Sequence, residues 1–436
     1  MSENHNLDTF KLAALLVSAH YGLGFLLGTA EKTHSFGAIG SLYAVSLSLG
    51  TIALLTLAKF YWTQKEQIWT LLGNRYGNIV KIVVGLMSWL SLIGIAAVQL
   101  ISGAFILKLL GLPVLLCMIL LAALFAIVSV LPVEKAGSLF RALLILNCLA
   151  LFYGLWVLHG LSDYLQAPLV FTQSLSDIKF PNLIGISLCT ILLVMIDMKY
   201  QQFVVRARNM RSLYQGCILA AILLMLLAFL PSSVVIAANN AGILPADIDP
   251  KETLPAILSW IGGGANKPLG FILILSLLVP ALGVGSSILR IQTKTLLDFK
   301  IVPTSPLNRG LITIMNALLS LAVALRGGEI VNLIVRFYAG YVAAVFFPFV
   351  AYLLAQTGSY HFTPRSVKFS LFLGSIAATL TLFFTLLNPS ISGLGSGELN
   401  IMAGGITFGG LGLLFGTISE KMGLFLVPTP DNDGNV

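Results

Sequence analysis

Long apolar runs of about bilayer length fill this chain, separated by polar stretches too short to fold on their own. Twelve fall near residues 10–30, 36–62, 79–107, 112–132, 138–160, 181–205, 213–238, 268–297, 308–325, 330–356, 366–387 and 400–426. A membrane-spanning helix needs about 20 apolar residues, so the pattern predicts an all-α, polytopic membrane protein with about 12 transmembrane helices.

Two of the runs are interrupted. The first breaks at His20-Tyr21-Gly22-Leu23-Gly24 and resumes as Phe25-Leu26-Leu27-Gly28; the sixth breaks at Asp197-Met198-Lys199-Tyr200-Gln201-Gln202. Unwound backbone at membrane depth must be buried in protein or line a watery cavity, and transporters place substrate and ions at such breaks. The two breaks correspond if the first ten helices are two five-helix repeats, and an odd number of helices inverts the second copy. The expected organisation is one transmembrane domain over 1–436. A first repeat covers 1–160, a second 161–356, two extra helices 357–427, and a disordered tail 428–436. The repeat rests on position, because the halves share no visible identity. Pro280, Gly283 and Gly285 loosen the eighth run and Pro348 kinks the tenth. Between runs seven and eight, Leu254 to Ile261 predicts a capping or re-entrant helix hinged at Gly262-Gly263-Gly264.

Composition removes the soluble alternatives. The chain is 57% hydrophobic and 10% charged, with a mean hydropathy of +0.95. Its net charge of +8 reports topology rather than a nucleic-acid partner: 17 Lys/Arg fall on the side of the N-terminus and 6 opposite. The expectation is therefore a cell-membrane protein with both termini cytoplasmic. Glu3 and Asp8 precede the first run, which reads as a retained helix and not a signal peptide. Cys117, Cys148, Cys189 and Cys217 lie in apolar runs without metal-ligand spacing and read as packing residues.

Asp197 is the costliest residue in this pattern, since a charge at mid-membrane costs about 2.5–3.5 kcal/mol even on insertion scales. Counted from the cytoplasmic ends, His20 and Asp197 both lie roughly 13–15 Å deep, which predicts a proton-responsive pair. A static ion pair of Asp197 with Lys199 is the competing reading. Tyr21, Gly22, Phe25, Asp197, Tyr200 and Gln201 flank the breaks and are the candidate substrate contacts, with helix packing as their alternative role. Trp89 and Gln99 are weaker candidates. Ser18, His20, Tyr21, Asp197, Ser286 and Ser287 are the candidate ion-coupling set. Arg336 lies roughly 10 Å below the outer surface and either bridges to the first helix as a gate or snorkels to the interface. Arg206, Arg208 and Arg211 read as inner-face anchors. The chain has no P-loop, HExxH or nucleophile elbow, and its Gly22-x-Gly24 follows no strand, so neither an enzyme nor a bound cofactor is expected.

Four stretches resemble the sodium:solute symporter family. They are Gly28 to Gly37; Trp69-Thr70-Leu71-Leu72-Gly73-Asn74-Arg75-Tyr76-Gly77, similar to the family's inner loop Thr-Leu-x-Glu-Tyr-Leu-x-x-Arg-Phe/Tyr-Gly; Gln201-Gln202-Phe203-Val204-Val205-Arg206, similar to Asn-Gln-Tyr-x-x-Gln-Arg; and the eighth run into Asp298. The likeness spans roughly residues 10 to 300, and the leading helix common in the family is absent. The resemblance implies a five-plus-five inverted-repeat core of the leucine-transporter type, alternating access, and sodium-driven uptake of a small solute. This chain departs from it at the ion site. Leu282-Gly283 falls where the family has a hydroxyl pair, and Leu144-Ile145 where some members have Thr-Asp. Ala44 and Leu47 stand where sugar-binding members carry polar residues, which disfavours a sugar. The functional expectation is a symporter for a small polar organic solute such as an amino acid or carboxylate, with sodium or a proton as coupling ion. The alternative is a sensor that binds a solute without pumping. The short tail then requires a separate signalling partner.

Overall fold

The computed structural model describes residues 7–130, 133–300, 302–388 and 393–422, without the side chains of 133–144 and 198. The predicted tail at 428–436 lies outside the described residues. Every one of the twelve apolar runs is a helix or a pair of helices, and among the described residues there is no strand. The first run is α1 (Thr9–His20) and α2 (Leu23–Phe36), and the second is α3 (Leu42–Ala53) and α4 (Leu55–Gln64). A short α5 (Ile68–Tyr76) leads into α6 (Asn78–Lys108), α7 (Val114–Val130) and α8 (Val133–Val157). An unpredicted α9 (Leu161–Ser174) turns away from α8 by 102°. The sixth run is α10 (Phe180–Ile196) and α11 (Met198–Val204), followed by α12 (Met210–Ala228) and α13 (Leu230–Asn240). The helix expected between runs seven and eight is α14 (Thr253–Ile261), and α15 (Pro268–Asp298), α16 (Pro306–Arg326), α17 (Ile330–Gln356), α18 (Pro364–Leu387) and α19 (Gly397–Lys421) follow among the described residues. By length and apolar composition, eight helical stretches among the described residues are able to cross a bilayer, besides the bent α8–α9 pair.

The bundle has two end faces. A proximal face gathers the N-terminal segment, where Leu7 bridges Ala207, and the α5 turn, where Arg75 hydrogen-bonds His361 at 3.1 Å. The distal face gathers the end of α2, the 250–264 segment and the starts of α17 and α19. Leu, Phe and Ile on the flanks of α7, α16, α18 and α19 are exposed, as a lipid-facing perimeter requires because lipid tails are as apolar as they are. Inside, α6 and α17 are buried along most of their length. Close packing explains the glycines here: a Cβ on Gly94 of α6 would lie 2.4 Å from the Phe337 ring of α17. On α14, Leu254, Ile257 and Leu258 face inward while Trp260 is exposed. Gly263 and Gly264 after it take φ of 81° and 112°, the positive values that glycine adopts without Cβ strain.

Candidate functional site

The backbone does come apart at both predicted places. α1 ends at His20, Tyr21 takes φ −79° and ψ 69°, and α2 restarts after an extended Gly22. α10 ends at Ile196, and Asp197 is extended at φ −81° and ψ 130° before α11. A helix end leaves carbonyls and N–H groups unpaired, and at membrane depth water is not there to satisfy them. Two tyrosines from elsewhere serve the end of α10. Tyr61 of α4 donates to the Met195 carbonyl at 2.7 Å, and Tyr341 of α17 donates to that of Ile196 at 3.1 Å. The start of α11 is served by Asp197 itself, whose Oδ1 accepts the Lys199 backbone N–H at 2.7 Å. The carboxylate at this depth is therefore a helix N-cap as well as a charge.

The two breaks abut. The His20 ring stacks on Tyr200 with centroids 4.2 Å apart and planes 14° from parallel. His20 Nε2 lies 3.2 Å from Thr51 Oγ1 of α3, and that hydroxyl donates to the Leu47 carbonyl at 3.0 Å. With its proton committed there, the hydroxyl offers His20 a lone pair, so Nε2 carries the N–H and neutral His20 presents Nδ1 as an acceptor. Nδ1 has no partner. The expected His20–Asp197 contact is not formed: no hydrogen bond or ion pair joins them, because Thr51 and Tyr200 hold the imidazole while the carboxylate turns to the α11 backbone. Nor is the static ion pair of Asp197 with the Lys199 ammonium formed; that ammonium lies over the Tyr200 ring, 5.5 Å from its centroid.

The remaining candidates divide. Tyr21 packs on Phe25 at 5.2 Å, with its hydroxyl beside the Cys148 thiol of α8. Gly22 faces α15 and α6: a Cβ there would lie 3.4 Å from Val284 Cγ2 and 3.9 Å from Gln99 Nε2. Gln99 is buried with Oε1 unpaired, and Gln201 is buried beside the Tyr61 hydroxyl with neither amide atom in a hydrogen bond of good geometry. Trp89, by contrast, donates to Asn316 Oδ1 at 3.0 Å and ties α6 to α16. Ser18 donates to the Leu15 carbonyl at 2.9 Å, Ser286 to Leu282 at 2.6 Å and Ser287 to Val284 at 2.8 Å. Each back-bond uses the hydroxyl proton and leaves oxygen lone pairs that a cation can use. Val284 methyls, not these hydroxyls, lie against Gly22.

Arg336 does not bridge to the first helix. Its Nε lies 3.3 Å from Glu398 Oε1 at the start of α19, and both side chains are largely buried. The groups that tie α2 across the distal mouth are others. Glu31 Oε2 accepts the Ile330 backbone N–H of α17 at 2.8 Å, and its Oε1 lies 3.6 Å from Lys251 Nζ. Lys32 pairs with Glu329 at 2.6 Å, and Lys108 of α6 pairs with Glu252. α2, α17, α6 and the segment before α14 are thus joined by charge at one level across the distal mouth.

No family model matches this sequence, and no curated protein matches it. Solved structures do. One is a sodium-coupled sialic acid symporter in a substrate-bound, outward-open state, at TM-score 0.66 and 14% identity over 96% of this chain and 91% of that one. A manganese transporter of Eremococcus coleocola matches at TM-score 0.53 and 15% identity, covering 94% of each chain. A nucleobase-cation-symport-1 family transporter, closed with bromovinylhydantoin bound, matches at TM-score 0.53 and 13% identity over 97% and 96%. The chain is a multi-pass membrane protein that shares the leucine-transporter type of fold with these structures.

Proposed function

We propose that this protein is a secondary active transporter of the sodium:solute symporter type, moving a small polar organic solute by alternating access between its distal and proximal faces. The observation that carries this reading is the abutment of two broken helices at the buried His20–Tyr200 stack, among polar atoms left without partners in His20, Gln99 and Gln201. Buried polar groups are otherwise nearly always satisfied, so unpaired ones at a helix break are what a solute site requires. The solute contacts are Tyr21, Gly22, Phe25, Asp197, Tyr200 and Gln201, joined by Gln99. The first repeat spans 1–160, the second 161–356, and two further helices follow. The proximal face is cytoplasmic in the cell membrane, as the basic residues indicate. No cofactor or nucleic acid enters the cycle.

Sodium or a proton drives uptake. Ser286, Ser287 and Ser18 are the oxygens available to sodium; His20 and Asp197 are the groups available to a proton, acting separately. One observation favours a second reading, a receptor that binds without pumping: the methyls of Val284 occupy the α15 position facing Gly22. Proteoliposomes offered a mixed pool of labelled metabolites separate the two. Accumulation of a polar solute under a sodium or proton gradient, lost on dissipating it, is the expected result. Binding without accumulation under either gradient selects the receptor.

A further inference from the structure

Lys199 is a cation at the second helix break that has no anion in contact among the described residues. Among the described residues it forms no ion pair, and its nearest carboxylate, that of Asp197, acts on it through space without contact. Asp197, two residues away, spends Oδ1 on the Lys199 backbone N–H and does not reach the ammonium. Of the other groups at the break, His20 is held by Thr51 and Tyr200, and Tyr200 offers only its ring face. An ammonium at membrane depth with no anion in contact is expensive, and cation–π contact with a tyrosine offsets only part of that cost. The residue is not fully buried. At the distal mouth the situation is reversed, for Lys32, Lys108 and Lys251 each have a carboxylate partner.

We infer that Lys199 is the anion-recognising group of the solute site and that the solute is a small organic carboxylate. Its carboxylate sits at the Lys199 ammonium, beside the Tyr200 ring. The Gln201 amide, two residues further along α11 and buried with both atoms unpaired, supplies a further donor. The unpaired Nδ1 of neutral His20 supplies an acceptor, which selects a carboxylate that also bears an N–H or O–H group. This rests on the reading of the two helix breaks as the solute site.

The test uses the purified full chain in nanodiscs and matched pairs of probes: lactate against lactamide, pyruvate against pyruvamide, alanine against alaninamide, and benzoate against benzamide. Thermal unfolding is followed for wild type, Lys199→Gln and Lys199→Arg. The expected result is stabilisation by at least one carboxylate and not by its amide, lost at least tenfold in apparent affinity in Lys199→Gln and retained in part by Lys199→Arg. Unliganded Lys199→Gln is expected to melt no lower than wild type, because the substitution removes an uncompensated charge. Stabilisation by amides and carboxylates alike, no response to any carboxylate, or undiminished carboxylate binding by Lys199→Gln overturns the inference. So does a clear fall in the unliganded melting temperature, which marks Lys199 as a structural partner. Carboxylate binding without uptake in proteoliposomes removes the transport reading and leaves the anion site standing. Gradient-driven uptake of a neutral solute, unchanged by Lys199→Gln, does the reverse.

Discussion

At the distal mouth, Glu31, Lys32, Lys251, Glu329 and the Ile330 N–H satisfy one another across three elements; at and beside the helix breaks, Gln201, Gln99 Oε1 and His20 Nδ1 go without hydrogen-bond partners and Lys199 has only a tyrosine ring against its ammonium. Both regions lie inside the same bundle and both are rich in polar groups. A satisfied network holds elements together, and its removal costs stability. An unsatisfied one is maintained at a cost, and the natural account of that cost is a ligand that completes it. On the proposed function, the contrast gives closure to the first region and recognition to the second.

The largest expected effect comes from a pair that belongs to neither cluster of groups, Arg336 and Glu398. Arg336→Ala leaves Glu398 buried without its cation, and losing one partner of a buried pair costs about 3–5 kcal/mol. Thermal unfolding of this variant is expected to show the steepest loss of the set, with Thr29, buried in α2, still protected. A rise in accessibility at Thr29 restores Arg336 as the gate. Next comes Glu31→Ala, which strands the Ile330 N–H at about 1–3 kcal/mol. Its unfolding midpoint falls, by less than that of Arg336→Ala.

Asp197 sharpens the contrast because it takes part in both behaviours. Asp197→Ala removes the cap of α11 and costs about 0.5–2 kcal/mol, whereas Asn caps as well as Asp. Asp197→Asn is therefore expected to fold like wild type and to lose gradient-driven accumulation while sparing exchange. An Asn variant that still concentrates solute shows that Asp197 is a cap alone. Tyr341→Phe has the smallest effect, one hydrogen bond to Ile196 at about 0.5–1.5 kcal/mol. It is read as a small shift in the denaturation midpoint with solute affinity kept; a collapse of affinity makes Tyr341 a direct solute contact.

The helix breaks were legible because they are local. Two glycines and a polar aromatic pair, or one acid among apolar residues, interrupt a run wherever it folds, and α14 announced itself in the same way. What completes those breaks was not legible. Tyr61 and Tyr341 lie 134 and 145 residues from the carbonyls they serve, and a tyrosine within an apolar run is indistinguishable from packing until its hydroxyl finds a partner. Equal depth suggested a His20–Asp197 pair, but depth fixes only one coordinate. The azimuth of each side chain, set by Thr51 and by the α11 backbone, separated them. Arg336 failed likewise: its depth allowed the first helix as partner, while Glu398, 62 residues away in sequence, lay nearer. α5 and α9 escaped notice because neither carries an apolar run of spanning length.

Reciprocal labelling tests the division between closure and recognition most directly. In a cysteine-free background, single cysteines replace Thr29 on the distal side of the first break and Ser18 on its proximal side, and an impermeant maleimide is applied to each face in turn. Glu31→Ala is expected to raise labelling of the Thr29 position from the distal face and to lower labelling of the Ser18 position from the proximal face, as one opening closes the other. Labelling that rises at both positions, or changes at neither, contradicts the account.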